Sequence, residues 1–214
     1  MENVSILKVS HVVINYTNYC NVSTVLTWQP MPKYRQIDTS VISWGDALIM
    51  DRLSANVTCS AYYTITKYTL LSSKLVSTYS AREVFKPDKN LNPLNIEDGQ
   101  YCPMEHALTV VVDLPGDSSY SGEYLTYKEY NKYTISISYE LNKTNVPKTS
   151  VPFYFYYNHT YTKKTYDFDL TDAVSIVVSI GKEDYYSAVI KIANGYKESI
   201  KSEKYSSALE HYFK

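Results

Sequence analysis

Hydrophobic and polar positions alternate with a period of two along most of this chain. Leu7, Val9, His11 and Val13 fall on one side of an extended segment, and Ser10, Val12, Ile14 and Tyr16 on the other. Successive side chains of a strand point to opposite faces, so the spacing predicts a long strand with both faces largely covered. "NVSTVLTW" then puts Val22, Thr24, Leu26 and Trp28 on one face. Pro30 and Pro32 end regular structure, because proline has no N–H to give a ladder. In "VISWGDALIMDRL" the first half reads as strand and the second as a short strand or a short helix. From Asn56 to Phe85 the pattern predicts a long strand and then another, with Val57, Cys59, Ala61, Tyr63 and Ile65 on one face.

Residues 86–104 carry three prolines, several Asn and Asp, and a glycine. That chemistry predicts a long loop, and it is the best place for a domain boundary if the chain has one. "ALTVVVDL" follows as a buried strand, closed by the turn "PGDSSYSG". "EYLTYKEY" and "YTISISYEL" read as a hairpin joined near Asn131 and Lys132, with Ile135, Ile137 and Tyr139 inward. The stretch "VPFYFYYNHTYTKKTYDFDL" holds eight aromatic residues in twenty. Phe153, Phe155 and Tyr157 share a face that belongs in the core; Tyr154 and Tyr156 share the other. Three uses of that second face stay open: packing under the chain itself, contact with a neighbouring subunit, or stacking on sugar rings. Tyr161 extends the same set of candidates.

"AVSIVVSI" and "YYSAVIKIA" read as a further hairpin across "GKED". Beyond Asn194 and Gly195 the period changes. Tyr196, Ile200, Tyr205, Leu209 and Tyr212 fall at helical spacing with Lys and Glu between them, which predicts a C-terminal α-helix. The expected fold is therefore all-β: a jelly-roll-like β-sandwich over residues 1–195, followed by a helix over 196–214.

Composition sharpens this picture in two ways. The chain has 24 Tyr among 214 residues, and Tyr fits a pleated, half-buried surface. Its formal charge is −1, with nine basic and nine acidic residues before position 107 and twelve and thirteen after it. With only three Arg and neither half polarised, a nucleic-acid partner is not expected, since such proteins displace counterions with Lys and Arg. No signal peptide is read at the start, and no apolar run approaches the roughly 20 residues of a membrane helix. Cys20, Cys59 and Cys102 lack zinc spacing and read as small buried hydrophobes, with or without one disulfide.

Candidate chemistry is sparse. There is no GxSxG turn, and six glycines provide no phosphate cradle, so neither an enzyme nor a cofactor is expected. Cys102, Glu105 and His106 are a weak metal trio. Asp167, Asp169 and Asp172 have a spacing that calcium sites use, but an ordinary strand end explains it as well. Asn-x-Ser/Thr rises above chance: Asn3, Asn15, Asn21, Asn56, Asn142 and Asn158 make six such triplets, against roughly 2.6 expected from composition. They are candidate glycosylation sites on an outward-facing protein.

The run of Tyr, Ile, Ser, Thr and Lys in "SAYYTITKYTLLSSKLVSTYS" and "YTISISYELNKT", with Gln down to three, resembles the β-rich virion components of viruses that infect crenarchaea. The resemblance is one of composition and carries over no motif residue. It implies a non-enzymatic capsid, vertex, spike or turret protein. Such a protein associates with itself and with other virion proteins, at the virion or host-cell exterior. A carbohydrate- or receptor-binding module is the alternative, with glycans as the partner.

Overall fold

A computed structural model describes residues 7–32, 35, 37–144, 150–160 and 202–212. Twelve strands are present among them. They are β1 (Leu7–Asn15), β2 (Tyr19–Trp28), β3 (Ile37–Trp44), β4 (Leu48–Thr69), β5 (Leu75–Phe85) and β6 (Asp88–Lys89). There follow β7 (Gln100–Pro103), β8 (Ala107–Asp113), β9 (Ser118–Ser121), β10 (Tyr124–Lys143), β11 (Ser150–Thr160) and β12 (Ser202–Tyr212). They build two six-stranded sheets. The first runs β1-β2-β10-β4-β5, with β9 also paired to β10; the second runs β12-β11-β3-β8-β7-β6. Every pairing is antiparallel except β6 with β7.

The alternation in the sequence decides which side chains meet between the sheets. Cys20, Val22, Leu26 and Trp28 from β2, and Ile135, Ile137 and Tyr139 from β10, enter one core with Ile42, Trp44, Leu108, Val110, Phe153 and Phe155 from the second sheet. Rings cross the gap directly: Trp44 stacks on Tyr139 at 5.1 Å, and Trp28 meets Tyr157 edge-on at 5.8 Å. Burial of such side chains is worth about 1.5–3 kcal/mol each, which makes this seam the main source of stability.

Several expectations need correcting. The C-terminal helix is absent from the described part of its span: Ser202–Tyr212 is a strand, paired along its length with β11. The physical reason is the open edge of β11. Eleven residues of unpaired backbone offer a ladder, whereas a short isolated helix is marginal in water, so tertiary pairing overrides the helical spacing. The hairpin expected at Asn131 and Lys132 is instead one continuous strand, β10, which carries a bulge between Tyr130 and Lys132. A bulge absorbs one extra residue without reversing the chain. The 86–104 segment is not all loop, since it contributes β6 and β7 to the edge of the second sheet. Its Ile96, Cys102 and Met104 cluster with Ala107 and Val111 of β8, on the side of that sheet away from the main core. The second half of "VISWGDALIMDRL", left open between strand and helix by the sequence, is strand. The hairpin expected around "GKED" lies outside the described residues.

Candidate functional site

Strand lengths differ sharply between the two sheets. β4 has 22 residues and β10 has 20, while β3 and β8 opposite them have eight and seven. The last core contributions of β4 and β10 at this end are Ala61, the partly buried Tyr63, and Tyr130. Beyond them β4, β10, β5 and β9 run on as a blade. Residues 62–69 of β4 are half-buried at every position, and β5 is exposed at all but Ala81. Eight further residues of strand reach about 25 Å. Among the described residues no strand of the second sheet lies over either face of the blade.

Three of the five exposed tyrosines among the described residues, Tyr79, Tyr120 and Tyr127, lie on the blade; Tyr16 and Tyr212 lie elsewhere. Register puts Tyr63, Tyr79, Tyr120, Tyr124 and Tyr130 on the face continuous with the core, and Tyr62, Tyr68 and Tyr127 on the other. At its base Tyr63 and Tyr130 meet edge-on at 5.4 Å. The Lys128 ammonium lies 4.1 Å from the Tyr63 centroid and 2.5 Å from Glu83, and the Tyr130 hydroxyl donates to Glu83 at 2.9 Å. The hydrogen bond from Lys128 leads the effects that hold the Glu83 carboxyl below its ordinary range. Arg35 braces the base from below. Its guanidinium donates to the carbonyls of Pro115 and Tyr130 and to Asp117. On the outer face an open cleft of about 320 Å³ is lined by Thr66, Tyr68, Ser73, Leu125, Tyr127 and Glu129. The rings of Tyr68 and Tyr127 stand edge-on at 5.8 Å within it. The β4–β5 turn ends the blade with Leu70 and Leu71 in solvent; Leu71 is fully exposed.

The sequence-predicted residues lie elsewhere. Phe153, Phe155 and Tyr157 face the core as the alternation requires. Tyr156 is 4% exposed and Tyr154 is half-buried, so within the single chain Tyr156 presents no free ring to a ligand. Tyr161, Asp167, Asp169, Asp172 and Asn3 lie outside the described residues. Asn15, Asn21, Asn56 and Asn142 are exposed; Asn158 is 1% exposed and out of reach of a modifying enzyme once folded. Cys102 is buried and His106 bonds to the Leu48 carbonyl; among the described residues no three metal-ligating side chains converge. All three cysteines are free thiols, pushed up by burial to about 11 at Cys20 and Cys102 and about 12 at Cys59.

Sequence reasoning missed a buried polar network. The Tyr157 hydroxyl donates to Asp38 Oδ2 at 2.7 Å and accepts from Trp28 Nε1 at 3.0 Å, while Asp38 Oδ1 lies 2.8 Å from His159 Nδ1. All four residues are at most 3% exposed. An Asp–His pair is catalytic furniture in many enzymes, but this one sits between the sheets rather than in a cleft. No sequence signal marks it, because Asp38 and its partners are more than a hundred residues apart.

His11 is a half-buried imidazole with a measurable consequence. Its ring lies 4.8 Å from both Phe153 and Phe155, and Nδ1 is 2.8 Å from Thr24 Oγ1. Burial, with a smaller push from His211, lowers its pKa from 6.5 to about 4. The folded ring thus stays neutral while the unfolded one takes a proton. The resulting stability is present above pH 6.5 and is lost as pH falls toward 4. Allowing for partial exposure of the ring, the loss is about 2 kcal/mol. Urea unfolding of His11→Phe between pH 7 and 4 should show a decline smaller by that amount than the wild type's; equal declines would refute it.

No family model matches the chain, and no curated protein matches it. Among solved structures, similarity is recorded to one described as "AvmM Catalyzes Macrocyclization in Alchivemycin A Biosynthesis", at 7% identity and a TM-score of 0.31, covering 77% of this chain and 79% of that one. Another is the family 11 carbohydrate-binding module from Clostridium thermocellum with a mixed-linked tetrasaccharide, at 12% identity and a TM-score of 0.12, covering 64% of this chain and 90% of that one. Likenesses this low carry no argument about either fold or function.

Proposed function

We propose that this chain is a non-enzymatic structural protein that assembles with copies of itself through the Tyr-rich blade, as a component of a virion surface. The observation that carries the reading is the blade, four strands that leave the sandwich with tyrosines on both faces and, among the described residues, no opposing sheet. Tyr gives large rigid contact area at low entropic cost, and an exposed array of it is what an interface uses. The repeated crossing of the chain between the two sheets supports a jelly-roll-like sandwich, a layout that capsid proteins use. The near-neutral charge suits a shell part that does not hold a genome, and the exposed Asn21, Asn56 and Asn142 suit an outward face. Other virion proteins would be its further partners.

The test is solution mass by size-exclusion chromatography with light scattering over a range of concentrations. Discrete oligomers or growing assemblies are expected, moving toward the 24.6 kDa monomer when Tyr79, Tyr120 and Tyr127 are replaced together by Ser. A monomer at every concentration overturns the reading. The cleft between Tyr68 and Tyr127, with Glu129 at its rim, favours one second reading, a glycan-binding module. In that case a monomeric wild type binds an oligosaccharide and Tyr127→Ala does not.

A further inference from the structure

β5 is the outer edge of the first sheet, and its backbone groups on that side are unpaired among the described strands. Such an edge is a template for another strand, and proteins that avoid pairing blunt it with proline, outward charges or a cover. Among the described residues β5 has none of these; its one irregularity is a bulge at Val76, at the end next to the β4–β5 turn. It contains no proline, and all but one of its residues are exposed. Its two charged residues are drawn back onto the blade: the Arg82 guanidinium lies 5.8 Å from the Tyr62 ring, and Glu83 is held by Lys128 and Tyr130.

The sequence of β5 also complements itself. Apolar residues stand at its two ends, Leu75 and Val76 at one and Val84 and Phe85 at the other, with Ser, Thr, Tyr, Ala, Arg82 and Glu83 between. A two-fold axis through Ser80 sets Thr78 opposite Arg82 of a second copy, Ser77 opposite Glu83 and Tyr79 opposite Ala81, all short of the bulge at Val76. No like charges oppose each other. The small Ala81 leaves room for the two Tyr79 rings to meet diagonally across the axis, within the reach of aromatic side chains in a sheet. Moving the axis to Tyr79 sets Arg82 and Glu83 against the bulged, apolar Leu75–Val76 end, so the charges disfavour it. Because paired residues share a face, the Ser80 axis also keeps the core sides of both sheets on one side.

We propose that two copies of this chain pair edge to edge through β5, antiparallel and centred on Ser80, to form one continuous sheet. This rests on the self-assembly reading above and deepens it by naming the edge and the register.

The register is tested by single substitutions on the full chain. Ser80→Cys puts two thiols opposite each other at a spacing that a disulfide bridges. With oxidised glutathione as the acceptor of two electrons and two protons, it should cross-link to twice the 24.6 kDa chain mass on a non-reducing gel. The native cysteines are buried, and Ser77→Cys, opposite Glu83, serves as the control that should not cross-link. Thr78→Lys faces Arg82 of the partner and should weaken association at least tenfold in light scattering, whereas Thr78→Glu should preserve or strengthen it. If the wild type associates but Ser80→Cys fails to cross-link and Thr78→Lys changes nothing, the β5 pairing is wrong and assembly uses another surface. A monomeric wild type defeats the assembly reading itself, and the pairing with it.

Discussion

Replacing Asp38 with alanine is expected to destabilise the fold by about 3–5 kcal/mol, the cost of removing one partner from a buried polar pair. Its carboxyl lies 2.7 Å from the Tyr157 hydroxyl and 2.8 Å from His159 Nδ1, and is fully buried. The Tyr157 hydroxyl has one proton to give, and gives it to Asp38; its oxygen already accepts from Trp28. Alanine leaves that proton without its acceptor in a place water does not reach, and deprives His159 of its carboxyl. An unsatisfied buried donor forfeits its full desolvation free energy. Asp38→Asn keeps the volume and one acceptor oxygen, so its cost should be nearer 1–2 kcal/mol. Chemical denaturation followed by tryptophan fluorescence measures both. If Asp38→Ala came within 1 kcal/mol of wild type, the network would be incidental to stability. The position matters for function as well. Asp38 is the second residue of β3, three after Arg35, the residue that braces the base of the blade, so loosening here is expected to weaken self-association along with the fold.

Much of the sandwich was legible because it depends on local alternation. Val22, Leu26 and Trp28, and later Phe153, Phe155 and Tyr157, point where a period of two says they must, since a one-residue slip would expose the whole set. The C-terminal spacing of Tyr205, Leu209 and Tyr212 misled because a short apolar pattern fits either element, and the free edge of β11 decided the matter. Asn131 and Lys132 looked like a turn because a bulge uses similar residues. The blade was hidden for a different reason. "SAYYTITKYT" shows strand plainly, but its exposure follows from β3 and β8 being short, a property of segments elsewhere in the chain. The Asp38 network was invisible for the same non-local reason. Tyrosine enrichment marks strands along the whole chain, while the densest aromatic run lies on β11, whose inner face is core and whose Tyr156 is buried on the other.

Phe153→Ala carries the second large expected effect, a loss of about 3–5 kcal/mol. The ring is fully buried, 4.8 Å from His11 and 6.4 Å from Trp44, between two sheets that cannot close over the space it leaves. Its neighbour on the opposite face, Tyr154, is half-buried, and Tyr154→Ala should cost about 1 kcal/mol. Tyr127, on the blade, is 39% exposed, and Tyr127→Ala should cost less than about 1 kcal/mol while changing association or glycan binding. Unfolding free energies and light scattering on the same three variants separate the two uses of aromatic residues in this chain. If Phe153→Ala unfolded no more easily than Tyr127→Ala, the packing between the sheets would not be what holds the molecule together. If Tyr127→Ala lost stability as Phe153→Ala does, the blade would be core and not a surface, and the case for assembly through it would fall.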